Sequence, residues 1–546
     1  MNDYKKALKT HFGFDEFRDK QLEIIKYILE DKRDCSVVMA TGSGKSLPFQ
    51  FCSVYSKKTV LVISPLISLM NDQLMKLKNL NISACSLNST VDNKIKLKKE
   101  ILENKYRLVY VTPEYITKQH TFIQELVEKD VLCLFSVDES HALSTWGMDF
   151  REAYRKLNCL KELAPTIPIL ALTATATLRV QKDIISHLGL DKPAIIRTSF
   201  DRPNLVIKVK PKGPDPMKDL LPLIKENERC IIYCQTRDKT DEIAELLKKN
   251  DISCLSYHAG MNSDDREDVH NKFANNEIAV ICATIAFGMG IDITIRRVIH
   301  YGIPKNMESY YQEIGRAGRD GIESYCFLLY SLPDMTTNNY FINQISNVAY
   351  RNNQMQLALV MKNYIFSSQC RRKYILEYFG EEYKPDNCGN CDNCLNKKDI
   401  VMHDFAKEAA LLFQVSNLTN NVYGGGMLIN ILRGSGSKKI PAQYAKNKLF
   451  GTGKDHTDKW WKMLLMFLVN DGYFKEKPIS GGHAFTLSLT SKASTWLNSY
   501  KQDNTTTLKL AIPDDMNTLA KPVKKTPVKK AAVKKAVKKG IIVLDE

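Results

Sequence analysis

Apolar residues in this chain gather into short runs, separated by longer stretches in which they recur every three or four positions. The runs at 36–39, 59–64, 82–87, 108–111, 131–137 and 167–172 each predict a buried strand, because neither face of such a run is polar. Helical patterns lie between them, as at 94–103, and residues 1–36 also read as helical. A second series predicts strands at 230–234, 253–257, 278–282, 297–301 and 325–330. This is the βαβ rhythm of a doubly wound parallel sheet, written twice. Residues 210–216, Lys-Pro-Lys-Gly-Pro-Asp-Pro, read as the linker between the two lobes. After residue 400 the pattern changes. A buried helix is predicted at 460–468, and 472–474 opens a β-ribbon that returns at 485–489, with its tip at 477–483.

Candidate chemistry sits where the strands end, which is where ligands bind in open parallel sheets. Strand 36–39 is followed by Ala40-Thr41-Gly42-Ser43-Gly44-Lys45-Ser46. Glycines let the backbone wrap a phosphate with its N–H groups inward. Lys45 adds positive charge at the β- and γ-phosphates, and the Ser46 hydroxyl suits Mg²⁺. The strict motif has glycine where this chain has Met39. Strand 131–137 ends in Asp138-Glu139-Ser140-His141. Two adjacent acids there are either a solvated turn or a site in which Asp138 holds Mg²⁺ and Glu139 activates water. The phosphate loop favours the second. In the other lobe, Gln312-Glu313-Ile314-Gly315-Arg316-Ala317-Gly318-Arg319 would, if helical, put Arg316 and Arg319 on one face, either solvated or aimed at a γ-phosphate.

Composition narrows the class. The chain has 546 residues, room for three or four domains, with ordinary hydrophobic and charged fractions of 44% and 25%. No apolar run reaches the roughly 18 residues of a membrane span, and the first ten residues lack a signal-peptide core. A soluble intracellular protein without membrane association is expected. The net charge of +17 points to a polyanion, although nine lysines lie in 521–540, so the body carries 17 − 9 = +8. That lysine-rich segment should be disordered; it suits electrostatic DNA holding, a nuclear localisation signal or simple solubility. Ten of the fourteen cysteines are scattered and read as small buried hydrophobes. The other four, Cys370, Cys388, Cys391 and Cys394, have C-x17-C-x2-C-x2-C spacing, suited to a closed tetrahedral Zn²⁺ with a structural role.

As a set, these motifs resemble those of superfamily 2 helicases and, within them, the RecQ family of DNA helicases. The segments at 39–46, 64–70, 138–141, 171–176, 199–205, 284–292 and 312–321 carry the resemblance over roughly residues 8–500. It implies that residues 12–21 read adenine, with Phe14 stacking on the base, Arg18 beside it and Gln21 bonding its edge. It implies that Trp146, Phe150 and Arg151 form an aromatic-rich loop that couples single-strand binding to hydrolysis, through base stacking and phosphate contact. The family usually has histidine where this chain has Met148, which implies a differently tuned coupling. Residues 401–500 resemble the family's winged helix, whose ribbon splits duplexes. A helicase-and-RNaseD-C-terminal domain is not expected.

The expected architecture is therefore α/β: two RecA-like parallel-sheet lobes (1–207 and 208–345), a small zinc-binding helical subdomain (346–400), a winged-helix domain (401–502) and a disordered basic tail (503–546). The expected activity is ATP-dependent unwinding of single-stranded and forked DNA, with 3′→5′ movement, using ATP, Mg²⁺ and structural Zn²⁺. Lys45, Asp138, Glu139, Gln312, Arg316 and Arg319 form the catalytic set, and Thr41, Gly42, Ser43, Gly44, Lys45 and Ser46 the nucleotide cradle. An RNA helicase and a non-unwinding ATP-gated clamp are the alternatives. The lysine-rich composition fits an AT-rich genome, and hence a nucleus or a cytoplasmic viral replication site.

Overall fold

The computed structural model describes residues 2–512 except 89–90, 286, 288–292, 397–400, 438 and 479–484. The chain divides into two compact units, Met1–Lys398 with Pro478–Phe485, and Asp399–Lys477 with Thr486–Glu546. The first unit holds two parallel sheets. One contains β1 (Cys35–Val38), β2 (Thr59–Ile63), β3 (Ala84–Leu87), β4 (Leu108–Val111), β5 (Leu132–Val137), β6 (Ile169–Thr173) and β7 (Ala194–Arg197), in the order β3-β4-β2-β5-β6-β1-β7. The other contains β8 (Leu205–Pro211), β9 (Cys230–Cys234), β10 (Cys254–Tyr257), β11 (Val280–Ala283), β12 (Arg297–Tyr301) and β13 (Ser324–Tyr330), in the order β10-β11-β9-β12-β13-β8. Counted from each lobe's first strand, the two orders are the same, and the first lobe adds one edge strand. β1, β2, β4, β5 and β6 are buried along their whole length, which is why their sequences are continuously apolar.

The second sheet departs from expectation at its start. β8 runs Leu-Val-Ile-Lys-Val-Lys-Pro at the sheet edge, so it begins before the expected lobe division at 207. Residues 210–216 are therefore not a linker between lobes. They finish β8 and lead to the helix Pro216–Leu220, within the second lobe. β7 is likewise a strand that the apolar runs did not predict.

Helices cover both sheets. In the first lobe Asn2–Phe12, Gln21–Leu29 and Ser46–Ser56 bury Leu8, Ile24, Ile28, Phe49 and Phe51 against β1 and β2. Each such side chain contributes about 1.5–3 kcal/mol of burial. The scattered cysteines are buried except Cys85 and Cys159, which are half-buried; Cys85 lies on the edge strand β3, where one face is open. After the second sheet come helices Leu332–Asn343, Val348–Phe366, Arg371–Tyr378 and Asp392–Leu395.

In the second unit, β14 (Val401–Asp404) opens a helical core in which Asp458–Asn470 buries Trp461 and Leu468 completely. β15 (Phe474–Pro478) and β16 (Phe485–Leu489) pair as the ribbon; of its expected tip at 477–483, residues 477–478 end β15 and 479–483 lie outside the described residues. β17 (Lys509–Ile512) pairs antiparallel with β14, so folded structure continues past 503, where the tail was expected to begin. The cause is alternation: Leu508 and Leu510 are buried on either side of exposed Lys509, which follows exposed Thr507 by two. The Lys-rich segment lies outside the described residues. No helix among the described residues is long and apolar enough to cross a membrane.

Candidate nucleotide and nucleic-acid site

The phosphate loop forms as its glycines require. Gly42 and Gly44 adopt φ of +83° and +82°, values that side-chain-bearing residues avoid. Lys45 caps the helix Ser46–Ser56, and its Nζ donates to the Met39 carbonyl at 3.4 Å. Burial lowers the Lys45 pKa, opposed by the Glu139 and Asp138 charges, so amine and acids face one cleft.

The acid pair follows β5 directly. The Asp138 amide donates to the Ile63 carbonyl at 2.9 Å, and the Tyr154 hydroxyl donates to the Asp138 carbonyl at 2.9 Å. Glu139 sits in the left-handed region at φ +47°, a backbone strain of about 1–3 kcal/mol that orients its side chain. Burial, then the Glu139 charge, pushes Asp138 up to about 7; burial also raises Glu139, opposed by Lys45 and Arg316. Burial lowers His141 to about 4, opposed by the Asp149 and Asp138 charges, which favours the neutral ring at pH 7. His141 Nδ1 pairs with Thr173 Oγ1 at 2.8 Å, and Glu139 Oε2, 3.3 Å from the same nitrogen, accepts no hydrogen bond.

The arginines do not lie on a helix face. The helix Met307–Ile314 ends before them, and Arg316 and Arg319 sit in the turn that follows. Gly315 and Gly318, the latter at φ +57°, break the helix there. Both arginines nevertheless face the first lobe. Arg316 is 6% exposed, and its charge acts on Glu139. A Cβ on Gly42 would lie 3.2 Å from Arg319 Cγ, and one on Gly315 would lie 3.3 Å from Thr41 Cβ. Gln312 is half-buried near the end of the same helix. Thr41 Oγ1, Glu139 Oε2, Thr175 Oγ1 and Arg316 Nε are buried without a hydrogen-bond partner, and the donors and acceptors of a triphosphate with a hydrated cation would satisfy such atoms. Ser46 and Asp138 are the groups suited to hold Mg²⁺ there.

Arg18 and Gln21 reach the loop from outside. Phe14 is 52% exposed. Arg18 Nη1 donates to the Gly42 carbonyl at 3.0 Å, and Gln21 Nε2 to the Gly44 carbonyl at 3.0 Å. Gln21 Oε1 accepts from the Arg18 amide at 2.8 Å, so reading a base edge requires this amide to exchange partners. Part of the 284–292 motif lies outside the described residues.

The aromatic loop is held from three sides. Trp146 is 39% exposed, with the Arg179 guanidinium 3.2 Å from its ring centre. The Phe150 ring lies 5.7 Å from Tyr350, whose hydroxyl donates to the Met148 carbonyl at 2.9 Å. Gln354 donates to the Gly147 carbonyl at 3.2 Å, and Ser309 contacts Met148 Sδ at 3.8 Å. Arg151 Nη1 donates to the Pro65 carbonyl at 2.9 Å. Arg179, Tyr350 and Gln354 were not predicted. The four-residue spacing of Tyr350 and Gln354 on one helix was the only local signal.

The four clustered cysteines do meet. The Sγ atoms of Cys370, Cys388, Cys391 and Cys394 all lie within 4.8 Å of one another, with Gly389 at φ +74° in the turn. That set fits tetrahedral Zn²⁺ with about 2.3 Å bonds, leaving no open position. Beside it, buried Arg371 pairs with Asp392 at 3.0 Å.

Comparisons with known proteins agree along the chain. It matches family models for a DEAD/DEAH box helicase over 18–184, a helicase conserved C-terminal domain over 214–321, a RecQ zinc-binding region over 332–395 and an RQC domain over 399–513. A protein of Acanthamoeba polyphaga mimivirus, provisionally named ATP-dependent RNA helicase R290, is 42% identical over 90% of this chain and 92% of its own length. The ATP-dependent DNA helicase RecQ of Bacillus subtilis is 37% identical over 89% of this chain and 82% of its own. The helicase MrfA, in a crystal structure bound to DNA, shares the fold at a TM-score of 0.50 with 18% identity, covering 74% of this chain and 61% of that one.

Proposed function

This chain belongs to the RecQ family of ATP-dependent DNA helicases, and on that premise we propose that it moves 3′→5′ on single-stranded DNA and opens forked duplexes. The observation that carries the reading is Glu139: a buried, unpaired carboxylate oxygen beside the phosphate loop, under the charge of Arg316 from the other lobe. In this reading Lys45 and the 41–46 backbone hold the ATP phosphates. Mg²⁺, bound by Ser46 and Asp138, would neutralise charge on the β- and γ-phosphate oxygens. Glu139 orients the attacking water and takes its proton, while Gln312, Arg316 and Arg319 meet the charge that develops on the phosphates. Phe14, Arg18 and Gln21 select adenine. Trp146, Phe150 and Arg151 meet the DNA strand, and Met148, seated on Ser309, passes its state to the helix that precedes the arginine turn.

The working domain division at 207, 345, 400 and 502 belongs to this reading, with the first and last bounds shifted by β8 and β17. So do DNA holding by the Lys-rich tail and residence in a nucleus or a viral replication site. The test is strand separation on forked duplexes with 3′ or 5′ loading strands of DNA or RNA. Unwinding from a 3′ DNA tail is expected. Unwinding on RNA alone, toward which the mimivirus relative's name points, would overturn the substrate, and ATP-sensitive binding without strand separation would make the protein a clamp.

A further inference from the structure

The turn that carries Arg316 and Arg319 is held at its carbonyls by one side chain from the segment joining the lobes. Arg202 Nη1 donates to the Gly315 carbonyl at 3.4 Å, and Nη2 to the carbonyls of Ala317 at 2.8 Å and Gly318 at 2.7 Å. These peptides flank Arg316 and precede Arg319. A planar guanidinium can hold several carbonyls in one fixed arrangement, which an ammonium cannot. Asn204 Nδ2 adds a bond to the Gly318 carbonyl at 2.9 Å, and a Cβ on Gly318 would lie 2.4 Å from that nitrogen.

The segment 199–204 is itself anchored. Phe200 stacks on Phe379 with ring centres 4.4 Å apart, and the Tyr311 hydroxyl donates to the Phe200 carbonyl at 2.8 Å. Arg372, two residues after Cys370, pairs with Asp201 at 2.6 Å and donates to the Leu205 carbonyl at 3.1 Å. Arg202 therefore reaches the turn from a fixed base.

We infer that Arg202 is a positioning residue for ATP hydrolysis, aiming Arg316 and Arg319 by fixing the backbone that bears them. This rests on the reading of those arginines as the groups that meet the phosphates. Arg202→Lys should lower kcat by about 100-fold, the cost of a misplacement near 1 Å, with KM for ATP and single-strand affinity nearly unchanged. Binding of ADP–aluminium fluoride should weaken by a similar factor, while ADP binds as before. The double variant Arg202→Lys, Arg316→Lys should lose less than the product of the two single losses, because part of the effect of Arg202 runs through Arg316.

Normal hydrolysis by both Arg316→Lys and Arg319→Lys would overturn the arginine reading. Normal hydrolysis by Arg202→Lys, with both arginine variants dead, would overturn only the positioning role. Equal loss of ADP and ADP–aluminium fluoride binding, or additive losses in the double variant, would also overturn it. Should Arg202→Lys fail to fold, Asn204→Ala leaves Arg202 in place and removes the second donor to Gly318, together with a bond to the Ile322 carbonyl at 3.0 Å. It must show the same selective loss of the fluoride complex, at about tenfold or less, and an unselective or absent loss there overturns the proposal.

Discussion

Where β1 leads into Ala40-Thr41-Gly42-Ser43-Gly44-Lys45-Ser46, its counterpart β8 leads into Lys212-Gly213-Pro214-Asp215-Pro216. Where β5 leads into Asp138-Glu139, its counterpart β12 leads into Gly302-Ile303-Pro304. The two sheets have the same strand order, so the difference lies in the connections. Proline donates no N–H and fixes φ near −65°, so the second lobe's loop cannot wrap a phosphate in amides. That lobe instead contributes two long side chains from a glycine-broken turn. On the proposed roles, one frame carries a nucleotide cradle in one copy and a cationic lever in the other, and strand order alone does not separate them.

The sharpest test of that division is Glu139→Gln. It should keep ATP binding and lose about 10²–10⁴ in kcat, read by single-turnover hydrolysis and nucleotide binding. Undiminished turnover would remove the acid pair from the comparison. Next in size, Trp146→Ala should weaken single-strand affinity by about 5–150-fold, one base stack, with hydrolysis in the absence of DNA unchanged. A change in DNA-free hydrolysis instead would mean that the aromatic loop serves the first lobe's chemistry directly.

Glu308→Gln probes the buried acid of the second lobe. Burial pushes the Glu308 carboxyl up to about 7, and the Tyr378 hydroxyl donates to it. Its folded pKa lies above its ordinary 4.5, so the fold prefers the neutral form. The cost of ionising it is absent below about 4.5, grows as pH rises to about 7 and is constant above. The variant's stability gain over the unaltered protein should follow that curve in denaturant titrations, with kcat within about twofold. A flat gain would place Glu308 in water. Smallest of all, Pro214→Ala should leave kcat within about twofold, and a larger fall would give the second lobe's loop a role that its chemistry does not suggest.

Much of the first lobe was legible because its central strands are buried on both faces and read as unbroken apolar runs. β8 was not, because Lys208 and Lys210 alternate with apolar residues at a sheet edge and Pro211 disguises its end. Short β7 was missed because its apolar run, Ala194-Ile195-Ile196, is only three residues long. The phosphate loop and the cysteine set were readable because the loop is contiguous and three of the four cysteines fall within 388–394. The Arg316–Arg319 spacing was read as helical because the spacing is local, whereas the glycines that end the helix act through tertiary contacts such as the bond from the Gly318 amide to Ile295. Tyr350 on Met148, Gln354 on Gly147 and Arg202 on Ala317 join residues more than a hundred positions apart, and no local pattern carries such pairings.

Arg371 and Arg372 are adjacent and tied in opposite directions, the first inward to Asp392 among the cysteines and the second outward to Asp201 between the lobes. Each tie is a short charge-assisted bond, and a single peptide joins them. In mechanical terms the cysteine cluster braces the joint between the lobes. Through Arg372 the 199–204 segment is tied to the same short helix that Arg371 ties to the cysteine cluster.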